Sequence, residues 1–352
     1  MGKALIAMSG GVDSSVAAYL VKQAGYECIG ATMKLFGEEN GFGESKCCSL
    51  DDVLDAKSVA RKIGMPHHTF NLKADFENEV ILPFISSYER GATPNPCIEC
   101  NRRLKFATLF ERACALGCEY IVTGHYARIT EDDGKFHLFR AKDYGKDQSY
   151  VLYSLTQELL SHILLPLGDL AKDKTREIAK SQGFCVSDKP ESQDICFIPD
   201  GDYAAFIRRR TKKEYPEGEF IDTSGNVLGK HKGIINYTVG QRKGLGIALG
   251  APAYVKSIDV ISNKVVLCKD EELYSSSLDA TVFNWISGEV PSEPVDCLAA
   301  VRYRGMLKPA RAIPTGDNEV HIDFLKPQRA ITPGQAVVLY RGDEVLGGGT
   351  IV

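Results

Sequence analysis

Met8-Ser9-Gly10-Gly11-Val12-Asp13-Ser14-Ser15 follows a short apolar run, Lys3 to Met8, and leads into Ser14 to Ala24, where Val16, Tyr19 and Leu20 share one side. The first run reads as a buried strand and the second as an amphipathic helix, so the stretch is a glycine-rich turn between strand and helix. Backbone N–H groups at the start of such a helix point at any anion seated there. The two glycines let the backbone come close to it, and the serine hydroxyls can donate to it. Asp13 is placed to help hold Mg2+ beside a bound phosphate. A capped turn with no ligand is the plainer alternative, and the strand, loop and helix in that order argue against it. The pattern is not a Walker A loop, because no Lys-Ser or Lys-Thr closes a G-x-x-x-x-G. It is not a dinucleotide fingerprint either, since Gly244-x-Gly246 leads only to Gly250.

Outward from the loop, strand-like and helix-like runs alternate. Cys28 to Leu35, His68 to Leu72 and Tyr120 to Thr123 read as strands. Asp52 to Ile63, the Phe76-Val80-Phe84-Tyr88 series and Arg102 to Leu116 read as helices. Such βαβ units predict an α/β fold: a doubly wound parallel sheet with ligands at the carboxyl ends of its strands. After about residue 200 the texture changes to short alternating runs broken by turns at Thr223-Ser224-Gly225-Asn226, Ser262-Asn263, Thr315-Gly316-Asp317-Asn318 and Arg341-Gly342-Asp343. The expected division is a nucleotide-binding domain over 1–199, a small mixed central domain over 200–270 and a C-terminal β-barrel over 271–352.

The chain has 352 residues, 44% hydrophobic and 25% charged, which suits a folded protein of two or three domains. Its only N-terminal apolar run, Ala4 to Met8, is too short for a signal peptide core or a membrane span, so the expected location is the cytoplasm with no membrane partner. Eleven cysteines and no secretion signal favour reduced thiols over a disulfide scaffold. The net charge of −4 argues against a protein that grips nucleic acid by overall charge, yet Arg208 to Lys243 carries nine basic residues against four acidic ones.

With these motifs the N-terminal part resembles the PP-loop ATP pyrophosphatases, of the adenine nucleotide alpha hydrolase-like class, which split ATP to AMP and pyrophosphate while adenylating an oxygen. A carbonyl oxygen becomes a leaving group only once it is made a phosphate ester. The resemblance implies ATP with Mg2+ on Ala7, Met8, Ser9, Gly10, Gly11, Val12, Asp13 and Ser14. Met33, at the end of the second strand, and Gly124, just after the strand Tyr120 to Thr123, lie where a parallel sheet would present them to the adenosine, with a core role the plainer alternative for Met33.

Thr93-Pro94-Asn95-Pro96-Cys97-Ile98-Glu99-Cys100-Asn101 ends in a helix expected to begin at Asn101-Arg102-Arg103. A thiol at a helix N-terminus beside two arginines is expected to ionise readily, which makes Cys100 a nucleophile candidate. Cys196 sits in the loop Ser192-Gln193-Asp194-Ile195-Cys196-Phe197. A structural zinc site lacks its second C-x-x-C, because Cys47 and Cys48 are adjacent.

Over essentially its full length the chain is similar to the tRNA-specific 2-thiouridylase family (MnmA/TrmU). The resemblance rests on the Ser9 to Ser15 loop, Thr93 to Asn101, Thr123-Gly124-His125-Tyr126, Lys146-Asp147-Gln148-Ser149-Tyr150, Ser192 to Phe197, Tyr237 to Gly246, Arg302-Tyr303-Arg304 and Pro333-Gly334-Gln335. It implies 2-thiolation of the wobble uridine in tRNAs for Lys, Glu and Gln. Cys196 would carry a persulfide and Cys100 would free its sulfur, with a transient disulfide between them as the route. Asn95, Pro96 and Cys97 would meet the target base, while His125, Lys146, Asp147, Gln148, Tyr303, Arg304 and Gln335 would touch the tRNA. The sulfur would come from a persulfide-carrying donor protein or from hydrosulfide. Many members carry Asp where this chain has Cys97, which leaves a second chemistry open: a four-iron four-sulfur cluster on Cys97, Cys100 and Cys196. Rival readings are another adenylating enzyme of the same group, a tRNA binder that uses ATP as a switch, and a thiol–disulfide oxidoreductase. The paired thiol loops beside a nucleotide loop argue against the last two.

Overall fold

A computed structural model of the chain describes residues 2–36, 50–190, 195–248 and 250–352. The Cys47-Cys48 pair and residues 192–194 of the Cys196 loop lie outside the described residues. The strands of the N-terminal part are β1 (Lys3–Ala7), β2 (Glu27–Lys34), β3 (His67–Asn71) and β4 (Tyr120–Val122), then a hairpin of β5 (Ala127–Asp132) and β6 (Lys135–Arg140), then β7 (Ile163–Leu164). Five of them form a parallel sheet in the order β3-β2-β1-β4-β7. Alternation along β1 decides the layering. Ala4 and Ile6 pack with Val16 and Ala17 of α1 (Val12–Gln23) and with Ala56 and Val59 of α2 (Leu50–Lys62), while Leu5 turns to Leu109 and Ala113 on the opposite face. The sheet is therefore doubly wound. Its strand order reverses between β1 and β4, and the loops leaving those strands open the crevice in which such sheets take ligands.

The helix that carries the thiols starts earlier than the sequence reading placed it. Pro96 is its first residue, and the Asn95 side chain accepts a hydrogen bond from the Cys97 N–H at 3.2 Å, so Asn95 is the N-cap. The helix widens to π geometry over Cys100–Thr108 and closes as an α-turn over Leu109–Ala115.

The rest is β-rich, as the turn chemistry predicts. β8 (Gly218–Ile221), β9 (Val227–His231), β10 (Tyr254–Asp259) and β11 (Lys264–Cys268) make a sheet of order β10-β11-β8-β9, parallel only between β11 and β8. β12 (Tyr274–Trp285), β13 (Val295–Ala300), β14 (Lys308–Gly316), β15 (Glu319–Arg329), β16 (Ala336–Arg341) and β17 (Glu344–Ile351) form an antiparallel sheet closed by the β12–β17 pairing. Closure leaves a six-stranded barrel filled by Phe283, Ile322 and Leu339. One pairing has no counterpart in the sequence reading: β6 adds to the outside of β17, Leu138 opposite Val345, so the N-terminal hairpin extends the C-terminal barrel's sheet. Among the described residues no helix is long and apolar enough to cross a membrane.

The three parts meet at Thr93. Its N–H donates to the Pro333 carbonyl at 2.8 Å, its carbonyl accepts from Gln335 Nε2 at 2.7 Å, and its hydroxyl bonds to Thr238 Oγ1 at 3.1 Å. The segment leading to Asn95, Cys97 and Cys100 is thereby held by both β-rich parts.

Candidate active site

The phosphate loop is clamped from several sides. Gly10 has φ +73°, and a β-carbon there would fall onto the Asp52 carbonyl of α2. Gly124, just beyond β4, lies against the loop: a β-carbon would stand 2.8 Å from both the Asp13 carbonyl carbon and the Ser14 nitrogen. Within the loop the Ser9 N–H donates to Ser14 Oγ at 3.2 Å, and Ser15 Oγ donates to the Gly11 carbonyl at 2.8 Å. Below it, Thr32 Oγ1 donates to the Met8 carbonyl at 2.8 Å and stands 2.9 Å from His67 Nε2. Because the threonine proton is used on Met8, His67 must donate through Nε2. Its Nδ1 is buried with no partner among the described residues. Burial, with help from the Lys57 charge, pushes the His67 pKa down to about 4.

Charge at the loop is balanced by two lysines. Lys172, buried at the start of helix Lys172–Ser181, donates to both carboxylate oxygens of Asp13 at 2.7 Å, and Tyr126 OH donates to Asp13 Oδ1 at 2.8 Å. Oδ2 has only Lys172 among its described partners, which leaves a lone pair for the Mg2+ of an incoming MgATP. Lys189 donates to the Gly10 carbonyl at 3.0 Å, Asp52 Oδ1 at 2.6 Å and Asp55 Oδ2 at 2.8 Å. Burial works against its charge, but the two carboxylates outweigh that and hold its pKa above the ordinary lysine value.

Cys97 lies in the first helical turn and is exposed, whereas Cys100, one turn on, is buried. The expected reason for a reactive Cys100 changes accordingly: it does not sit at the helix start, and the arginines beside it turn to carboxylates. Arg102 reaches Glu99 at 3.4 Å, and Arg103 reaches Glu79 at 3.7 Å. Cys100 belongs instead to an apolar cluster with Leu104, Phe84 and Phe197, against which Cys196, Ile195 and Met33 also pack. Cys100, Cys196 and Met33 thus share one cluster at the carboxyl edge of the sheet. Phe197 fixes the Cys196 end of its loop, with ring centroids 5.2 Å from Phe206, 5.3 Å from Phe84 and 5.7 Å from Phe76. Among the described residues no three His, Cys, Asp or Glu side chains gather to hold a metal ion. Cys97 is exposed, Cys100 is buried and Cys196 is half-buried.

The outer ring is tighter than expected of surface contacts. His125 is buried with Nδ1 2.8 Å from Thr123 Oγ1, and burial drives its pKa well below the ordinary histidine value. Asp147 is spent on its own loop, accepting from Arg140, Ala141 and Ser149. Gln148 exchanges two hydrogen bonds with the Tyr126 backbone. The Lys146–Ser149 and Arg302–Gly305 loops face each other across a cavity of about 270 Å³ lined by Arg140, Tyr144, Tyr303 and Arg304 among others. The Arg304 guanidinium lies 5.5 Å from the Tyr303 ring centre. Gln335 turns to Thr93. Sequence reasoning missed Lys172, Lys189 and the His67–Thr32 pair. Tyr126 alone carried a signal, as part of the Thr123 to Tyr126 run.

Residues 2–200 match the family described as tRNA methyl transferase HUP domain, 204–269 the tRNA methyl transferase PRC-barrel domain and 275–351 the Aminomethyltransferase beta-barrel domain. The chain is 50% identical over 352 residues to the tRNA-specific 2-thiouridylase MnmA of Clostridioides difficile, covering 99% of this chain and 98% of that protein. It is 49% identical to the protein of that name from Halothermothrix orenii, covering 100% and 99% of the two chains. For that of Acetivibrio thermocellus the identity is 51%, with 99% of each chain covered.

Proposed function

The chain belongs to the tRNA-specific 2-thiouridylase family, and from that premise we propose that it thiolates the wobble uridine of tRNAs for Lys, Glu and Gln with ATP and a cysteine persulfide. It is a tRNA sulfurtransferase with an ATP-binding PP-loop fold. The methyl transferase wording of two domain descriptions carries less weight than identity of about half the residues over the whole length.

The chemistry follows from the residues. MgATP lies with its phosphates on the loop from Met8 to Ser14, where backbone N–H groups and the helix start stabilise negative charge. The target uridine leaves its stack, which an anticodon loop permits at modest cost, and meets Asn95, Pro96 and Cys97. Its C2 oxygen attacks the α-phosphorus, and pyrophosphate leaves. The Cys100 thiolate then attacks the inner sulfur of the Cys196 persulfide, which forms a Cys100–Cys196 disulfide and frees hydrosulfide. Hydrosulfide adds at C2, AMP departs with the oxygen, and a proton is lost to leave C=S. An external dithiol reduces the disulfide, and a persulfide donor reloads Cys196.

The observation that supports this reading is the shared cluster of Cys100, Cys196 and Met33 at the edge of the sheet that bears the phosphate loop. The test joins pyrophosphate release with mass spectrometry of anticodon-loop nucleosides. Release should require tRNA, and 2-thiouridine should appear with a persulfide donor. Cys100→Ser and Cys196→Ser should each abolish thiolation while tRNA affinity stays within about twofold. Full turnover by Cys196→Ser with a protein persulfide donor would remove Cys196 as carrier.

A further inference from the structure

The cavity between the Lys146–Ser149 and Arg302–Gly305 loops has one corner whose charges cancel. Arg140 and Tyr144 belong to its lining, and Asp343, which does not, holds both from behind. Asp343 stands in the two-residue turn Gly342-Asp343 that joins β16 to β17, where Arg341 pairs with Glu344 and Gly342 takes φ +60°. Its carbonyl accepts from the Arg140 N–H at 2.9 Å, which fixes the turn to the end of β6. Its carboxylate accepts from Tyr144 OH, with either oxygen at 3.0 Å, and lies 3.8 Å from Arg140 Nη1 and 3.7 Å from Arg128 Nη2. Arg140 also donates through Nε to Asp147 at 3.2 Å, and its guanidinium lies 4.2 Å from the Tyr144 ring centre. Between a ring and two carboxylates the guanidinium has its direction set. Arg128 and Arg140 against Asp147 and Asp343 sum to zero, so this corner adds no net pull on a polyanion. What it offers is a fixed guanidinium on an aromatic ring, a surface on which a base or phosphate of single-stranded RNA can rest.

We propose that Asp343 is a positioning residue for tRNA binding: from the last turn of the barrel it holds Arg140 and Tyr144 of the N-terminal part in the direction in which they meet the RNA. The inference rests on the thiolation reading above, with tRNA lying against the two loops that face each other across this cavity. Charge and position predict opposite signs here. Removing a carboxylate beside a polyanion's site should by charge alone tighten binding, whereas removing the group that aims Arg140 and Tyr144 should weaken it.

The test is the KM for tRNA against kcat in pyrophosphate release at saturating MgATP. In Asp343→Ala the KM should rise about tenfold, the scale of one lost hydrogen bond to a charged group, while kcat falls less than twofold. Asp343→Asn should raise it in part, and Asp343→Glu should bring it most of the way back. A merely structural aspartate would shrink the active fraction and lower kcat with KM unmoved. Tyr144→Phe, an exposed change that keeps the ring under Arg140, should also raise KM, and joining it to Asp343→Asn should add little because both break the same bond. A KM that stays level or falls in Asp343→Asn and Asp343→Ala overturns the proposal, as does strict multiplication of the effects in the double variant. Arg304→Ala, on the opposite wall, checks the reading beneath it. If its KM for tRNA equals the parent's, tRNA lies elsewhere, and that reading of the cavity fails, whatever Asp343 does.

Discussion

Replacing Gly124 by alanine puts a methyl group where the structure has none to spare. The new β-carbon would stand 2.8 Å from the Asp13 carbonyl carbon and the Ser14 nitrogen and 3.1 Å from Asp13 Cβ. Carbon atoms in contact settle about 3.5–4.0 Å apart, so loop and strand end must separate by roughly 0.7 Å. Both sides are backbone, and no flexible side chain can absorb the shift. Overpacking of this kind costs about 1–3 kcal/mol. If the strain falls on the loop, ATP affinity should drop about 5- to 150-fold, because every 1.4 kcal/mol is a factor of ten. Calorimetric titration of Gly124→Ala with MgATP measures it, and filter binding of tRNA serves as the control expected to stay level. A folded Gly124→Ala protein that binds ATP within twofold of the parent would refute the idea that this glycine sets the loop's position. Gly10→Ala should fare worse, since it adds a left-handed backbone to a collision with Asp52 and should not give a stable protein.

Lys172→Met leaves the Asp13 carboxylate without its ammonium partner. A buried pair broken on one side costs about 3–5 kcal/mol, but Asp13 is one-third exposed, so about 2 kcal/mol by denaturant unfolding is expected. Adding Asp13→Asn should recover part of that loss, and strictly additive losses would deny the coupling. His67 is neutral in the fold, with a pKa of about 4 against an ordinary 6.5. The unfolded chain binds the extra proton first, so this contribution to stability is whole above pH 6.5 and drains away as pH falls towards 4. Melting curves across that window should slope less in His67→Gln than in the parent. Gln335→Ala removes a donor to the Thr93 carbonyl, worth about 1 kcal/mol. Thiolation turnover should fall more than tRNA affinity does, and the opposite ranking would make the side chain a tRNA contact first.

The parallel sheet was legible because its signals are local: an apolar run, glycines, a helix start and the same alternation repeated. The start of the thiol helix was misplaced although its signal was present. Asn95 before Pro96 is a cap followed by a first-turn proline, yet two prolines in four residues also read as a loop. The hairpin of β5 and β6 had its own mark, Asp133-Gly134, both with positive φ in the structure. What no local pattern reveals is that this hairpin pairs with β17, since the choice of partner depends on residues far away in the chain. Lys172 and Lys189 were invisible for a related reason. A lysine in a polar stretch looks like surface until the fold brings acceptors to it.

The addition of β6 to β17 also governs how the molecule can be made and remade. Emerging from the ribosome, the hairpin has a bare edge and Leu138 uncovered until the last strand of the barrel is synthesised, so quality control has a long window in which to see it. Chimaeras between relatives that exchange the barrel alone would set one parent's edge against another's. Successful hybrids should inherit ribbon and barrel from the same ancestor.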